Sequence, residues 1–278
     1  MSKVFPGRWV LAPLFAAAAV TLAGCANKGM PGMPAASQTT AASGAELTTE
    51  SDEGKARKRA RTRLELAISY FEAGQTTTAL DEIKQSLVAD PNYAEAYNLR
   101  GLVYMRMDDP GLAEDSFRRA IAINPRDANT MHNYGWLLCQ QNRYKDAMTQ
   151  FNAALAVPGY VDASKTLMTE GLCQIRAGQN ADAEKTLMKA YEFDAGNPVI
   201  GYNLAALLAK REDWTRAQFY VRRVNNGPAA NAETLWLGVK VVRKLNNREA
   251  VSQLGSQLQS RFPQSREAIA YERGNFND

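Results

Sequence analysis

From about Ala60 onward, small and large residues recur along the chain at a fixed interval. Ala67, Gly101 and Gly135 lie 34 residues apart, as do Ala79, Ala113 and Ala147, and Phe117 and Phe151 keep the same spacing. Pro91 and Pro125 repeat it near the end of each unit. Small residues at fixed places let paired helices approach closely, the large apolar neighbours fill the space, and a proline after the second helix stops it before the next begins. Gly171 and Ala183 follow 36 residues after Gly135 and Ala147, a two-residue insertion that falls in the turn Val157-Pro158-Gly159-Tyr160, where a loop absorbs it. Ala205 and Ala217 restore 34, and Gly238 and Ala250 follow at 33. The pattern predicts six helical pairs, at 60–93, 94–127, 128–163, 164–197, 198–230 and 231–264. Ser265 to Tyr271 predicts a short capping helix, and the last residues, GNFND, are expected to fray.

A small residue at the eighth position, alanine at the twentieth and proline near the end of a 34-residue unit resemble the tetratricopeptide repeat (TPR). The resemblance implies an all-α fold over 58–278: a right-handed α-solenoid of six helix-turn-helix repeats with a short C-terminal cap.

The chain begins differently. Lys3 and Arg8 precede an apolar run from Trp9 to Leu22, followed by Ala23-Gly24 and then Cys25, the order expected of a secretory signal at 1–24. Leu22-Ala23-Gly24-Cys25 resembles the bacterial lipobox, which implies that Cys25 is acylated and becomes the mature N-terminus. Ala26 stands where inner-membrane retention usually uses Asp, so the expected destination is the outer membrane, with the protein facing the periplasm. Several acyl chains make such anchoring effectively permanent. Residues 25–57, rich in Ala, Ser, Thr, Gly and Pro, read as a tether whose roughly 30 residues span about 30 Å as a flexible coil. Removing 1–24 takes away two cations and lowers the formal charge from +4 to 31 − 29 = +2, a balance that does not call for nucleic acid. No later segment approaches the roughly 20 apolar residues of a spanning helix.

Within the repeats, NYGWLLCQQNRYKDAMTQFNAAL (Asn133 to Leu155), GLCQIRAGQNADAE, LWLGVKVVRKLNN and RFPQS, together with the lipobox, resemble the PilF/PilW family of type IV pilus biogenesis lipoproteins, the pilotins. This resemblance covers residues 60 to 268. It implies an assembly factor that delivers the outer-membrane secretin of the pilus machine and promotes its multimerisation. The alternative is a TPR scaffold for another envelope machine, regulating peptidoglycan synthesis or outer-membrane protein assembly.

In such repeats the first helix of each pair lines a concave groove. The groove-facing positions carry Leu64, Ile68 and Phe71; Leu102 and Met105; His132, Trp136 and Cys139; Met168, Leu172 and Ile175; and Leu235, Val239 and Val242. That wall is apolar and suits an amphipathic helix or an apolar extended segment, whereas a carboxylate clamp would need Lys, Asn and Arg there. The alternative for any single position is core packing. Asn133 and Asn203 share the sixth position, where an amide pairs either with a bound peptide's backbone or with a buried backbone group; Asn98 fits less well.

Enzyme chemistry finds no foothold. The single histidine, His132, excludes a His-pair metal site, and no G-x-S-x-G, P-loop or CxxC occurs, so no catalytic residue, metal, cofactor or small-molecule substrate is expected. The basic run Lys55, Arg57, Lys58, Arg59, Arg61 and Arg63 reads as a solvated first helix with Asp52 and Glu53 offsetting its start, or else as a contact for anionic lipid or for an acidic patch on a partner. Cys139 and Cys173 fall on first helices of consecutive repeats. They are either bridged, where facing positions bring the Cα atoms within about 7 Å, or two isolated thiols.

Overall fold

The computed structural model describes residues 54–276. The signal segment, Cys25, the tether up to residue 53 and the last two positions, 277–278, lie outside the described residues. Among those described there are thirteen helices and no strand. They form six hairpins: α1 (Lys55–Glu72) with α2 (Thr76–Ala89), α3 (Ala94–Arg106) with α4 (Pro110–Ile123), and α5 (Ala128–Gln140) with α6 (Tyr144–Leu155). Then come α7 (Ala163–Arg176) with α8 (Asn180–Phe193), α9 (Pro198–Lys210) with α10 (Trp214–Asn225), and α11 (Ala232–Lys244) with α12 (Arg248–Arg261). A short α13 (Arg266–Glu272) closes the stack against α11 and α12. The fold is thus a TPR solenoid, and its first helix starts at Lys55 rather than at 58.

The crossing inside each hairpin explains the spacing of small residues. A Cβ placed on Gly101 would stand 2.4 Å from the Phe117 ring, one on Gly135 would stand 2.8 Å from Phe151, and one on Gly171 would stand 2.6 Å from Leu187. Each partner lies sixteen residues further along and is fully buried. Where the first helix carries alanine instead, the residue sixteen positions on is differently branched or smaller: Ile83 shares a buried cluster with Ala67, and Val221 shares one with Ala205. The cap repeats the device, because a Cβ on Gly255 would stand 1.9 Å from the Tyr271 ring. Burying a side chain of this size contributes about 2–3 kcal/mol, so each crossing anchors its repeat.

The turn inside each hairpin has the same period. Gly74, Asp108, Asn142, Gly178, Glu212 and Asn246 all have positive φ, between 57° and 76°. In each turn the next N–H returns to the carbonyl five residues back, for example Gln75 to Tyr70 at 2.8 Å and Asp213 to Leu208 at 2.9 Å, which ends the helix with its last carbonyls satisfied. Side-chain caps then open several of the following helices. Asp109 accepts from the Leu112 amide before Pro110, Asn197 from Val199 and Ile200 around Pro198, and Asn231 forms a reciprocal capping box with Thr234.

First helices touch one another from repeat to repeat, α1 with α3, α3 with α5, α5 with α7 and α9 with α11. They therefore form the inner, concave layer, and the second helices form the outer one. Part of the N-terminal basic run is absorbed into this packing: Arg57 pairs with Asp90 at 2.7 Å and lies over the Tyr93 ring, and Arg63 pairs with Glu82 at 2.9 Å. The expected fraying at the C-terminus is not found for the described residues. The Phe276 ring stacks on Trp236 at 5.4 Å and meets the edge of Tyr271 at 6.2 Å.

Glu212 holds a left-handed conformation at φ 65° that a Cβ disfavours. Glu212→Gly is expected to stabilise the protein by about 0.5–1 kcal/mol in urea unfolding, and Glu212→Val to destabilise it. Lower stability in the glycine variant contradicts strain at this turn.

Candidate partner-binding groove

The concave face takes its residues from one stripe of each first helix. Ile68 is 39% exposed, and Phe71, Leu102, Met105, Trp136, Met168, Leu172 and Ile175 are half-buried, so a continuous apolar strip runs along the first four repeats. It is narrower than the sequence suggests. Leu64 and His132 are each only 6% exposed, and Cys139, Leu235, Val239 and Val242 are buried as well. These six face neighbouring helices and present no wall to a ligand.

His132 shows why. Its Nδ1 lies 2.9 Å from the Thr166 hydroxyl, which itself meets the Tyr160 hydroxyl at 2.8 Å, and its ring leans on Phe151 at 6.0 Å. Burial, with a smaller contribution from Lys165 and against the pull of Asp162, lowers the imidazole pKa to about 4. A neutral imidazole in a hydrogen-bonded chain is a packing element.

The asparagines also have partners in the protein. Asn133 donates to Asn98 Oδ1 at 3.0 Å, linking α5 to α3, so Asn98, which fitted the sequence pattern less well, is the partner of its neighbour. Asn203 donates to its own helix at Val199 O, at 2.8 Å. Cys139 and Cys173 are joined by a disulfide, with Cα atoms 5.9 Å apart. It ties α5 to α7 beneath the strip, and closing a 34-residue loop restricts the unfolded chain by about 3–4 kcal/mol in the chain-entropy model.

A basic row, not among the residues expected from the repeat pattern, lies beside the strip. Arg106, Arg176, Lys210 and Arg243 occupy the same position, at the last turn of α3, α7, α9 and α11, and all are exposed. Arg106 lies 3.8 Å over the Phe71 ring of the preceding repeat, and Arg176 lies 5.9 Å over Trp136. The signal was legible as four cations in register at the end of the first helices. The geometry offers an apolar floor with one cationic edge. Among the described residues, no group of three His, Cys, Asp or Glu side chains is placed to hold a metal, and no helix is long and apolar enough to cross a membrane.

Two models of the tetratricopeptide repeat match the chain, at residues 92–158 and 69–108. The type IV pilus assembly protein PilF of Pseudomonas aeruginosa is 27% identical over 204 residues, which are 73% of this chain and 81% of PilF. The solved PilF structure superposes with a TM-score of 0.72 at 25% identity, covering 80% of this chain and all of that one. That of PilW, described as a widely conserved type IV pilus biogenesis factor, gives 0.67 at 29% identity, covering 76% and 97%. The chain is a tetratricopeptide-repeat protein related to PilF and PilW. The likeness to both extends well beyond the 90 residues that the repeat models match, and reaches across nearly the whole helical stack.

A pH dependence follows from His132. Its pKa is lower in the folded state than the ordinary 6.5 of the unfolded chain, so its contribution is fully present above pH 6.5 and is lost progressively as pH falls toward 4. Over that window the loss approaches about 3 kcal/mol. Urea unfolding of the wild type between pH 7 and pH 5 should fall more steeply than that of His132→Gln. Equal slopes contradict the buried, neutral imidazole.

Proposed function

We propose that this protein is an outer-membrane lipoprotein, anchored through acylated Cys25, that acts as a pilotin for the type IV pilus secretin. The concave strip holds a segment of the secretin and promotes its localisation and assembly into multimers. The observation that carries this reading is the apolar strip on the inner layer of a stack related to PilF and PilW along most of its length. A partner helix or extended segment laid along the strip removes contiguous apolar surface from water, the main source of affinity in groove recognition.

Strip residues differ in how cleanly they test this. Leu102, Met105 and Trp136 pack against buried clusters, so a charge there also weakens the fold. Among the described residues, Ile68 and Leu172 join none of those clusters. Ile68→Glu and Leu172→Glu are therefore expected to leave thermal unfolding nearly unchanged while secretin multimers in the outer membrane fall by at least about tenfold, because an ion must be desolvated in the docked complex. Lys185 on α8, exposed and paired with Asp182 at 3.4 Å, is the outer-face control. Normal multimers in both groove variants, or a loss in Lys185→Glu alone, contradict the groove assignment. In a separate arm, Cys25→Ser should abolish outer-membrane fractionation, and its recovery there without acyl mass contradicts the anchor.

A further inference from the structure

The concave face changes character at its C-terminal end. On α9 the groove positions carry Ala206 and Ala209, and the floor drops into a cavity of about 380 Å³ walled by Tyr202 and Trp214. Lys210, Lys240, Arg243 and Lys244 stand around it, and no acidic side chain lines it. A second opening of about 830 Å³ adjoins it and adds Arg248, again with no acid in the lining. Phe276 borders both. Its ring lies between the indole of Trp236, stacked at 5.4 Å with an interplanar angle of 20°, and the guanidinium of Arg243, 4.1 Å from the ring centroid.

We propose that this end of the groove binds an acidic segment of a partner protein through one aromatic anchor, and that Phe276 holds the anchor position in the free chain. Three observations carry the inference. Lys210, Lys240, Arg243, Lys244 and Arg248 outnumber the nearby acids, Glu233, which accepts from the Tyr202 hydroxyl, and Glu267 in the adjoining opening that shares Tyr202 and Lys240, so the apolar floor has net positive surroundings that complement an aromatic residue flanked by carboxylates. The place is already filled by an aromatic ring, held in an indole and guanidinium sandwich that any incoming ring could take over. Phe276 borders both openings and lies outside any helix, beyond α13 and a turn at Gly274 with φ 64°.

This site is separate from the strip around Ile68 and Leu172. Its test uses no secretin, so the two proposals stand or fall apart. The probe is a fluorescent peptide of about twelve residues with one Phe among Asp and Glu, titrated with the full chain at low salt and followed by anisotropy. Wild type should bind it, and Phe276→Ala should bind it at least about fivefold more tightly, because removing an internal competitor raises the fraction of competent sites. Lys240→Glu combined with Lys244→Glu should weaken binding by about tenfold or more, as should replacing the peptide's Phe by Ser. In an arm independent of variants, a photoreactive benzoylphenylalanine in place of that Phe should crosslink the wild type within Trp236 to Lys244. The proposal is overturned if Phe276→Ala binds no more tightly, if the Ser peptide binds as well as the Phe peptide, if charge reversal has no effect, or if crosslinks map outside α11.

Discussion

The contact on which the stack depends is a missing methyl group. At Gly101 and Gly135 the first helix has no side chain, and a phenylalanine of the second helix lies in the space, closer than any Cβ allows. Interiors are packed at crystal-like density, so the two helices of a hairpin can cross only where a small residue faces a large one. That match is made at the helix crossings, and the cap uses it once more with Gly255 and Tyr271. Since each hairpin rests chiefly on its neighbours, the solenoid repeats one crossing, and the inner face remains available for other work.

The inner face uses that freedom unevenly. In the first four repeats it keeps apolar side chains half in water, from Ile68 to Ile175, over a disulfide that ties α5 to α7. On α9 the same positions shrink to alanine, and cations accumulate around the space that opens. Arginines stack on aromatic rings at both ends, Arg106 on Phe71 and Arg243 on Phe276. An arginine in that position shields an aromatic face while leaving it exchangeable, because the cation–ring attraction is worth only about 0.5–1 kcal/mol at exposed sites.

The fold was largely legible in the sequence because the helix crossing imposes volumes, and volumes are written in residue types: Gly with Phe, Ala with Ile or Val. The turn positions were equally legible in principle, with Gly or Asn at four of the six left-handed residues, Gly74, Asn142, Gly178 and Asn246. The groove was harder to read. Position in the repeat gives the direction of a side chain and not whether a neighbouring repeat covers it, which is why Leu64 and His132 turned out to be buried. The Asn98 and Asn133 pairing and the folded-back Phe276 depend on contacts between elements that periodicity does not encode. The outcome for Cys139 and Cys173 rests on a distance between α5 and α7 that spacing allows without fixing.

The most direct test is a double-mutant cycle at one crossing, converting Gly101 and Phe117 to the Ala and Ile of the first repeat. Gly101→Ala alone is expected to destabilise by about 1–3 kcal/mol through overpacking, despite alanine's better helix propensity. Phe117→Ile alone should also cost stability, through the cavity it leaves. If the crossing is a volume match, the double variant is more stable than the sum of the single effects by about 1 kcal/mol or more in denaturant unfolding. Additive effects within a few tenths of a kcal/mol would contradict the account, since the two positions would then not share one space.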